Sequence, residues 1–361
     1  MSEQPLSSLA VYSARPTVRI DEQEYPKLSE LIVSMEMTEN EGGLAALELR
    51  VSNVASDPSG GAALAFEDEA ILRLGAVIAV YGGDENSPQE IFRGTITGLE
   101  AHFAQEGPPE LVVLAEDALQ QARMARRTKV RTNVTIAAVA REVAAQLGLV
   151  PVVTDFEENI GTQAQLNESD LLFLRRLLAR YDGDLQVVGK ELHVSPRKDV
   201  QRGSLDLQLH SQLRAARILA DLAHQATEVT VTGWDPAQGQ RVTGTSRGAN
   251  LGPGTGQTGA QLLSRALGER RQHVGHLAAT TSDEAQALAD AAFDRAARRL
   301  VCVEGVAEGN PALRVGTTVN LTGLGPRFDN TYYVTSACHR FDQERGYETA
   351  FEAECAYWGG R

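Results

Sequence analysis

The feature that most constrains this chain is the stretch 167–194, which can satisfy its own pattern only as a capped helix feeding a hairpin. Ser169 is a good N-cap, and Asp170 sits at the positive end of the helix dipole. Leu171, Leu174, Leu178 and Tyr181 follow at spacings of three and four, while Leu172, Phe173 and Leu177 widen the apolar stripe. A helix this apolar must be covered on more than one side. Gly183 reads as its stop, because glycine takes positive φ at little cost. Leu185 and Val187 then alternate with Gln186, Gly189-Lys190 supply a two-residue turn of type II′, and Leu192 and Val194 make the return strand. Ser169, Leu174, Leu178 and Gly189 are the residues expected to hold the unit together.

The rest of the chain reads as β structure on either side of that unit. Residues 16–20, 31–37, 46–51, 71–74, 77–81, 91–99 and 111–114 are short strand-like runs bounded by Gly, Pro or Asp, with a loose segment at 57–61. Such a series predicts a closed or nearly closed antiparallel barrel. Thr135 caps a helix over 136–147 that Gly148 stops, and a short strand at 150–154 follows. Strands return at 205–209 and 228–232, the latter running into Gly233-Trp234-Asp235-Pro236 and a return strand to Gly244. Ser282 is read as the cap of a long helix over 283–299, whose face of Ala285, Leu288, Ala289, Ala292, Ala296 and Leu300 permits close approach to a sheet. The end is again β-rich, through Tyr332-Tyr333-Val334-Thr335 and Gly346-Tyr347-Glu348-Thr349.

Charge is unevenly placed. The chain carries 34 basic and 48 acidic side chains, net −14. Residues 1–122 hold 21 acidic and 6 basic groups, −15, and the remaining 239 hold 27 and 28, +1. An extended nucleic-acid surface on the first part would be repelled by phosphate, so no specific nucleic-acid binding is expected. The basic cluster of residues 123–131, with Arg126 and Arg127 at its centre, has no interleaved aromatics for stacking bases. It reads as a linker paired with nearby carboxylates or as a contact with the acidic part of a neighbouring subunit. No run approaches eighteen apolar residues, so no membrane span is expected. Residues 1–6 lack a basic n-region and an apolar h-region, so no secretory signal is expected either. Three cysteines, Cys302, Cys338 and Cys355, without a CxxC pair, fit buried free thiols in a reducing compartment.

Nothing in the sequence singles out catalytic, cofactor or metal-binding residues. Gly254-Thr255-Gly256-Gln257-Thr258-Gly259 matches GxGxxG, but no apolar strand precedes it, so it reads as a flexible loop. Cys338 and His339 are neighbours on a strand and point to opposite faces. His273 and His276 lie three apart without an HExxH motif and read as surface residues. No enzyme activity and no cofactor are expected.

The helix–hairpin unit, the Gly-Trp-Asp-Pro turn at Trp234, the small-residue helix and the Tyr-Tyr-Val-Thr and Gly-Tyr-x-Thr strands occur in an order that resembles one family. It is the phage late control gene D family, together with the N-terminal half of VgrG spikes: hub proteins of contractile injection machines. The resemblance covers roughly residues 15–358. It implies an α+β, mainly β chain of two antiparallel β-barrel-like hub domains, residues 1–125 and 201–361, with a small α+β insert, residues 126–200, between them. It further implies a structural baseplate hub, a homotrimer that adapts a hexameric tube to a trimeric spike. The alternative is a delivered lytic enzyme that hydrolyses cell wall. Expected partners are a separate spike protein, a tail tube or tube-initiator protein and other baseplate proteins. The separate spike is expected because no short-period β repeat occurs and the chain stops at Trp358-Gly359-Gly360-Arg361, where fused relatives continue into a needle. The expected location is the cytoplasm of the producing cell and then the assembled particle.

Overall fold

The computed structural model describes residues 15–56, 62–84, 87–275 and 278–359. The loose segment 57–61 and His276 lie outside the described residues.

Period-two alternation builds the first part. Its strands are β1 (Thr17–Ile20), β2 (Gln23–Glu24), β3 (Ile32–Asn40), β4 (Ala46–Ser52), β5 (Ala55–Ser56), β6 (Ala62–Ala63), β7 (Val77–Asp84), β8 (Ser87–His102) and β9 (Glu110–Glu116). The short helix α1 (Pro26–Glu30) precedes β3. Val18, Ile20, Met35, Met37, Leu47, Leu49, Ile78, Val80 and Val113 share one buried core, as alternate residues of a strand must to cover one face. Residues 71–74 form bends and a turn instead of the expected strand. Gly75, at φ +83, turns the chain there before a ladder can form.

The second part comprises α2 (Leu119–Met124), β10 (Arg126–Arg131), α3 (Ile136–Leu147), β11 (Val150–Val153), β12 (Gln163–Ser169), α4 (Asp170–Arg180), β13 (Gly183–Val188) and β14 (Glu191–Pro196). The Thr135 side chain accepts from Ala138 N at 3.0 Å to start α3, and Gly148, at φ +67, ends it. The Ser169 hydroxyl accepts from Leu172 N at 3.2 Å to start α4. The stop of α4 differs from expectation. Asp182, not Gly183, takes the left-handed conformation (φ +52), and its carboxylate is held by Arg298. Gly183 is needed for space, since a Cβ there would lie 2.5 Å from Leu178 Cδ2. The faces of α3 and α4 close on each other and on Leu185, Leu192 and Val194 of the β13–β14 hairpin. That hairpin turns at Gly189 (φ +59) with Val188 paired to Glu191. Strand β11 adds to β14 in parallel, and β10 pairs with β12 as a separate two-stranded ribbon.

A 3-10 turn (Arg197–Asp199) leads to the third part. It holds β15 (Ser204–Gln208), β16 (Leu213–Ala220), β17 (Glu228–Asp235), β18 (Gln240–Ser246), β19 (Gln257–Thr258), α5 (Gly259–Ala266) and β20 (Arg271–Val274). After α6 (Ser282–Arg298) come β21 (Val301–Glu308), β22 (Thr318–Thr322), β23 (Asn330–Asp342), β24 (Gly346–Cys355) and β25 (Tyr357–Trp358). The cap of α6 is Thr281, whose hydroxyl accepts from Glu284 N at 3.1 Å, and Ser282 is already helical. Helix α6 lies across β17 and β18, where Gly244 lets its backbone approach; a Cβ at Gly244 would sit 2.2 Å from the Ala285 carbonyl. The segment expected to be a flexible loop is tied down. Gln257 and Thr258 pair with Trp358 and Tyr357, and Thr258 forms a capping box with Gln261.

The expected barrels do not close. One 13-stranded sheet runs through both β-rich parts in the order β16-β21-β24-β23-β3-β4-β9-β8-β7-β1-β2, with β22 and β15 branching from β23. The free edge of β3 is taken by β23, through pairs from Ser336↔Asn40 to Asp342↔Ser34, so β3 is unavailable to close on β1. Within this sheet every pairing is antiparallel except β15–β22. The fold is mainly β, with open antiparallel sheets.

Candidate functional site

Where the three parts meet, charged side chains leave solvent. Glu39 occupies an inward register of β3, two residues after the buried Met37, and is fully buried. Its carboxylate accepts from Arg314 Nε and Nη2 at 2.9 and 2.6 Å, from Val315 N at 2.7 Å, and from Gln186 Nε2 of β13 at 3.1 Å. Burial raises its pKa, but the charge and hydrogen bonds of Arg314 win and leave the carboxyl below its ordinary value. One carboxylate thus ties the first sheet, the hairpin and the third part together. His339 lies buried beside it, with Nδ1 2.7 Å from the Tyr347 hydroxyl. Burial, reinforced by the Arg314 charge, pushes His339 down to about 4, so the imidazole is neutral near pH 7.

A second network lies close by. Arg197 Nε meets Glu41 at 3.1 Å and its Nη2 meets Glu354 at 2.7 Å, while its guanidinium lies 4.1 Å from the centre of the Tyr333 ring. Arg298 Nη1 donates to Asp182 at 2.8 Å, and Arg202 pairs with the buried Asp184. Burial pushes Glu41 up to about 7, opposed by Arg197 and assisted by the charges of Glu354 and Asp184. Buried ion pairs of this kind roughly break even against apolar packing. Removing one partner of a buried pair such as Glu39–Arg314, however, strands a charge at a cost of about 3–5 kcal/mol. The networks link the hairpin and α6 to the sheet through Gln186–Glu39 and Arg298–Glu354.

The residues singled out in sequence fall in three places. Leu174 and Leu178 are buried in the α3–α4 core, with Ser169 and Gly189 at the cap and turn beside it. Trp234 lies exposed near the end of β17. Arg126 and Arg127 stand on β10, where Arg127 Nε reaches Asp170 at 2.9 Å and Arg126 donates to the Asn167 carbonyl at 3.3 Å. Cys338 is half-buried, with its thiol pushed up by burial, while the adjacent His339 faces the interior. Glu39, Glu41, Arg197, Arg298 and Arg314 went unread. The available signal was Glu39, a carboxylate at the core register of an alternating strand. Among the described residues no three His, Cys, Asp or Glu side chains converge to hold a metal ion, and no helix is long and apolar enough to cross a membrane.

The fold has counterparts among solved structures. A 43 kDa tail protein of prophage MuSo2 from Shewanella oneidensis superposes with a TM-score of 0.66 at 14% identity, over 94% of this chain and 97% of that one. A tail protein from Neisseria meningitidis MC58 gives 0.64 at 12% identity, over 94% and 96%. An E. coli component of the type VI secretion system, described as similar to the T4 tail proteins gp27 and gp5, gives 0.60 at 13% identity, over 95% and 79%. At these identities the likeness is one of fold. No curated protein matches the chain in sequence. A family model does, over residues 51–343, and the chain belongs to that family, described as the Alg8 N-terminal domain.

Proposed function

We propose that this chain is a structural baseplate hub of a contractile injection machine, a homotrimer that adapts a hexameric tube to a trimeric spike. The observation that carries the reading is the edge-to-edge joint of β3 and β23. It places two mainly antiparallel runs, β3-β4-β9-β8-β7-β1 and β16-β21-β24-β23 with β22 and β15, side by side in one sheet. A trimer of chains each carrying two such runs presents six comparable surfaces to a tube and three to a spike, which resolves the mismatch in symmetry. The fold shared with tail proteins over nearly the whole chain supports the same reading. In it, residues 1–125 and 201–361 form the ring and residues 126–200 are the insert held against it by the Glu39 and Arg197 networks. The work is done by interfaces, without catalysis and without a cofactor. Assembly takes place in the cytoplasm of the producing cell, and the chain leaves as part of the particle.

The test is co-expression with candidate spike and tube proteins of such a machine. A complex with equal numbers of hub and spike chains that also retains tube protein is expected. Failure of the chain to co-purify with either, or wall-hydrolysing activity of the purified chain, contradicts the proposal.

A further inference from the structure

The ribbon of β10 and β12 has its polarity inverted. The side chains it turns inward are polar: Arg131 and Gln165 are buried, with Arg131 Nη1 donating to Gln165 Oε1 at 3.0 Å and Nη2 to Glu142 at 3.1 Å. Gln165 Nε2 in turn donates to Asp170 at 2.9 Å, and the Arg131 guanidinium lies 5.1 Å from the centre of the Phe173 ring. The opposite face, which carries Val130 and, across the ribbon, Ala164 and Leu166, is apolar, yet Val130 is 60% exposed and Leu166 64%. The Arg126↔Ser169 pair brings the end of α2 and the first turn of α4 to one end of the ribbon, adding Met124, 73% exposed, and Leu172, 51% exposed. A ribbon that buries Arg131 and Gln165 while exposing Val130 and Leu166 beside Arg126, Arg127 and Lys129 suits a surface outside its own subunit.

The rim says what that surface carries. Arg126 has no carboxylate within 4 Å among the described residues and stays available to a partner. Residues 1–122, at −15, are the acidic counterpart within the same sequence. There the hairpin of β8 and β9 ends in Phe103, 70% exposed, with the exposed Glu100 and Glu106 three residues to either side. This hairpin end does not cover the ribbon of its own chain, since Phe103, Val130 and Leu166 all stay exposed within it.

We infer that the outer face of the β10–β12 ribbon is a subunit contact that receives the acidic, Phe103-bearing hairpin end of a second copy of this chain. The inference rests on the trimer reading above and names the surfaces that meet. Because the two surfaces differ, the contact is heterologous and closes only as a ring. Apolar burial at Val130 and Leu166 supplies the centre, and Arg126 facing glutamate supplies a salt-sensitive rim.

A photo-crosslinking residue in place of Val130 in the full chain, followed by peptide mapping and native mass measurement, tests it. Cross-links to residues 98–112 of another copy are expected. They should be lost in Phe103→Ser and weakened by Arg126→Glu more at low salt than at high salt, with circular dichroism and Tm unchanged. An intact trimer whose cross-links map elsewhere, or that forms none, overturns this inference and leaves the trimer standing. A monomer without cross-links overturns both.

Discussion

Glu41→Gln is predicted to alter the pH dependence of stability more than stability at any single pH. Burial lifts the Glu41 carboxyl from 4.5 to about 7, against the pull of Arg197. Between those values the folded chain keeps a proton that the unfolded chain has released, so the contribution of this group to stability falls as pH rises through that window. The Glu41 side chain is still 35% exposed, so solvent screening reduces the effect of this shift to on the order of 1 kcal/mol. Glutamine keeps an acceptor for Arg197 but cannot titrate. The stability of the variant relative to the parent should therefore improve by about 1 kcal/mol between about pH 4.5 and about pH 7.5. Urea unfolding followed by the fluorescence of Trp234 and Trp358 at several pH values measures this. Taking the difference between the two proteins cancels His339, whose contribution runs the other way. That imidazole, held down from 6.5 to about 4, favours the fold above this window and loses its contribution as pH falls through it. A difference between variant and parent that does not change with pH would refute the reasoning.

Other perturbations probe packing. Leu174→Ala and Leu178→Ala should each cost about 2–5 kcal/mol in denaturant unfolding, because both side chains are buried between α3, α4 and the hairpin. Normal unfolding midpoints would show that this core is not shared in the way described. Gly244→Ala should cost about 1–3 kcal/mol or more, since the added methyl collides with the backbone at Ala285; an unchanged calorimetric Tm would mean that α6 lies farther from β18. Gly189→Val should lose about 1–2 kcal/mol through its positive φ, an effect that thermal melting would detect and that a neutral result would exclude.

What the sequence made legible was local. Thr135 with Gly148, Ser169, and the Gly189-Lys190 turn each act within a few residues, and each occupies its expected cap or turn. Where two neighbouring hydroxyls competed, at Thr281 and Ser282, residue type alone could not choose between them. The segment Leu213–Ala220, rich in Ala, Arg and Leu, has the propensity of a helix. It is a strand because β21 offers it a ladder from Leu213↔Ala307 to Ala220↔Val301. The closed barrels expected from strand count gave way to an open sheet for a similar reason. The edge of β3 is claimed by β23, about 300 residues away, and no local pattern announces such a pairing. Arg314 is equally remote from Glu39, so the centre of the ionic junction is invisible from either residue taken alone.

The proposal turns on oligomeric state, and the native mass of the purified chain tests it most directly. The account predicts a stable species of three times the 38.9 kDa chain, persisting on dilution to low micromolar concentration. A species of one chain mass at every concentration, alone and in the presence of its tube and spike partners, would contradict it.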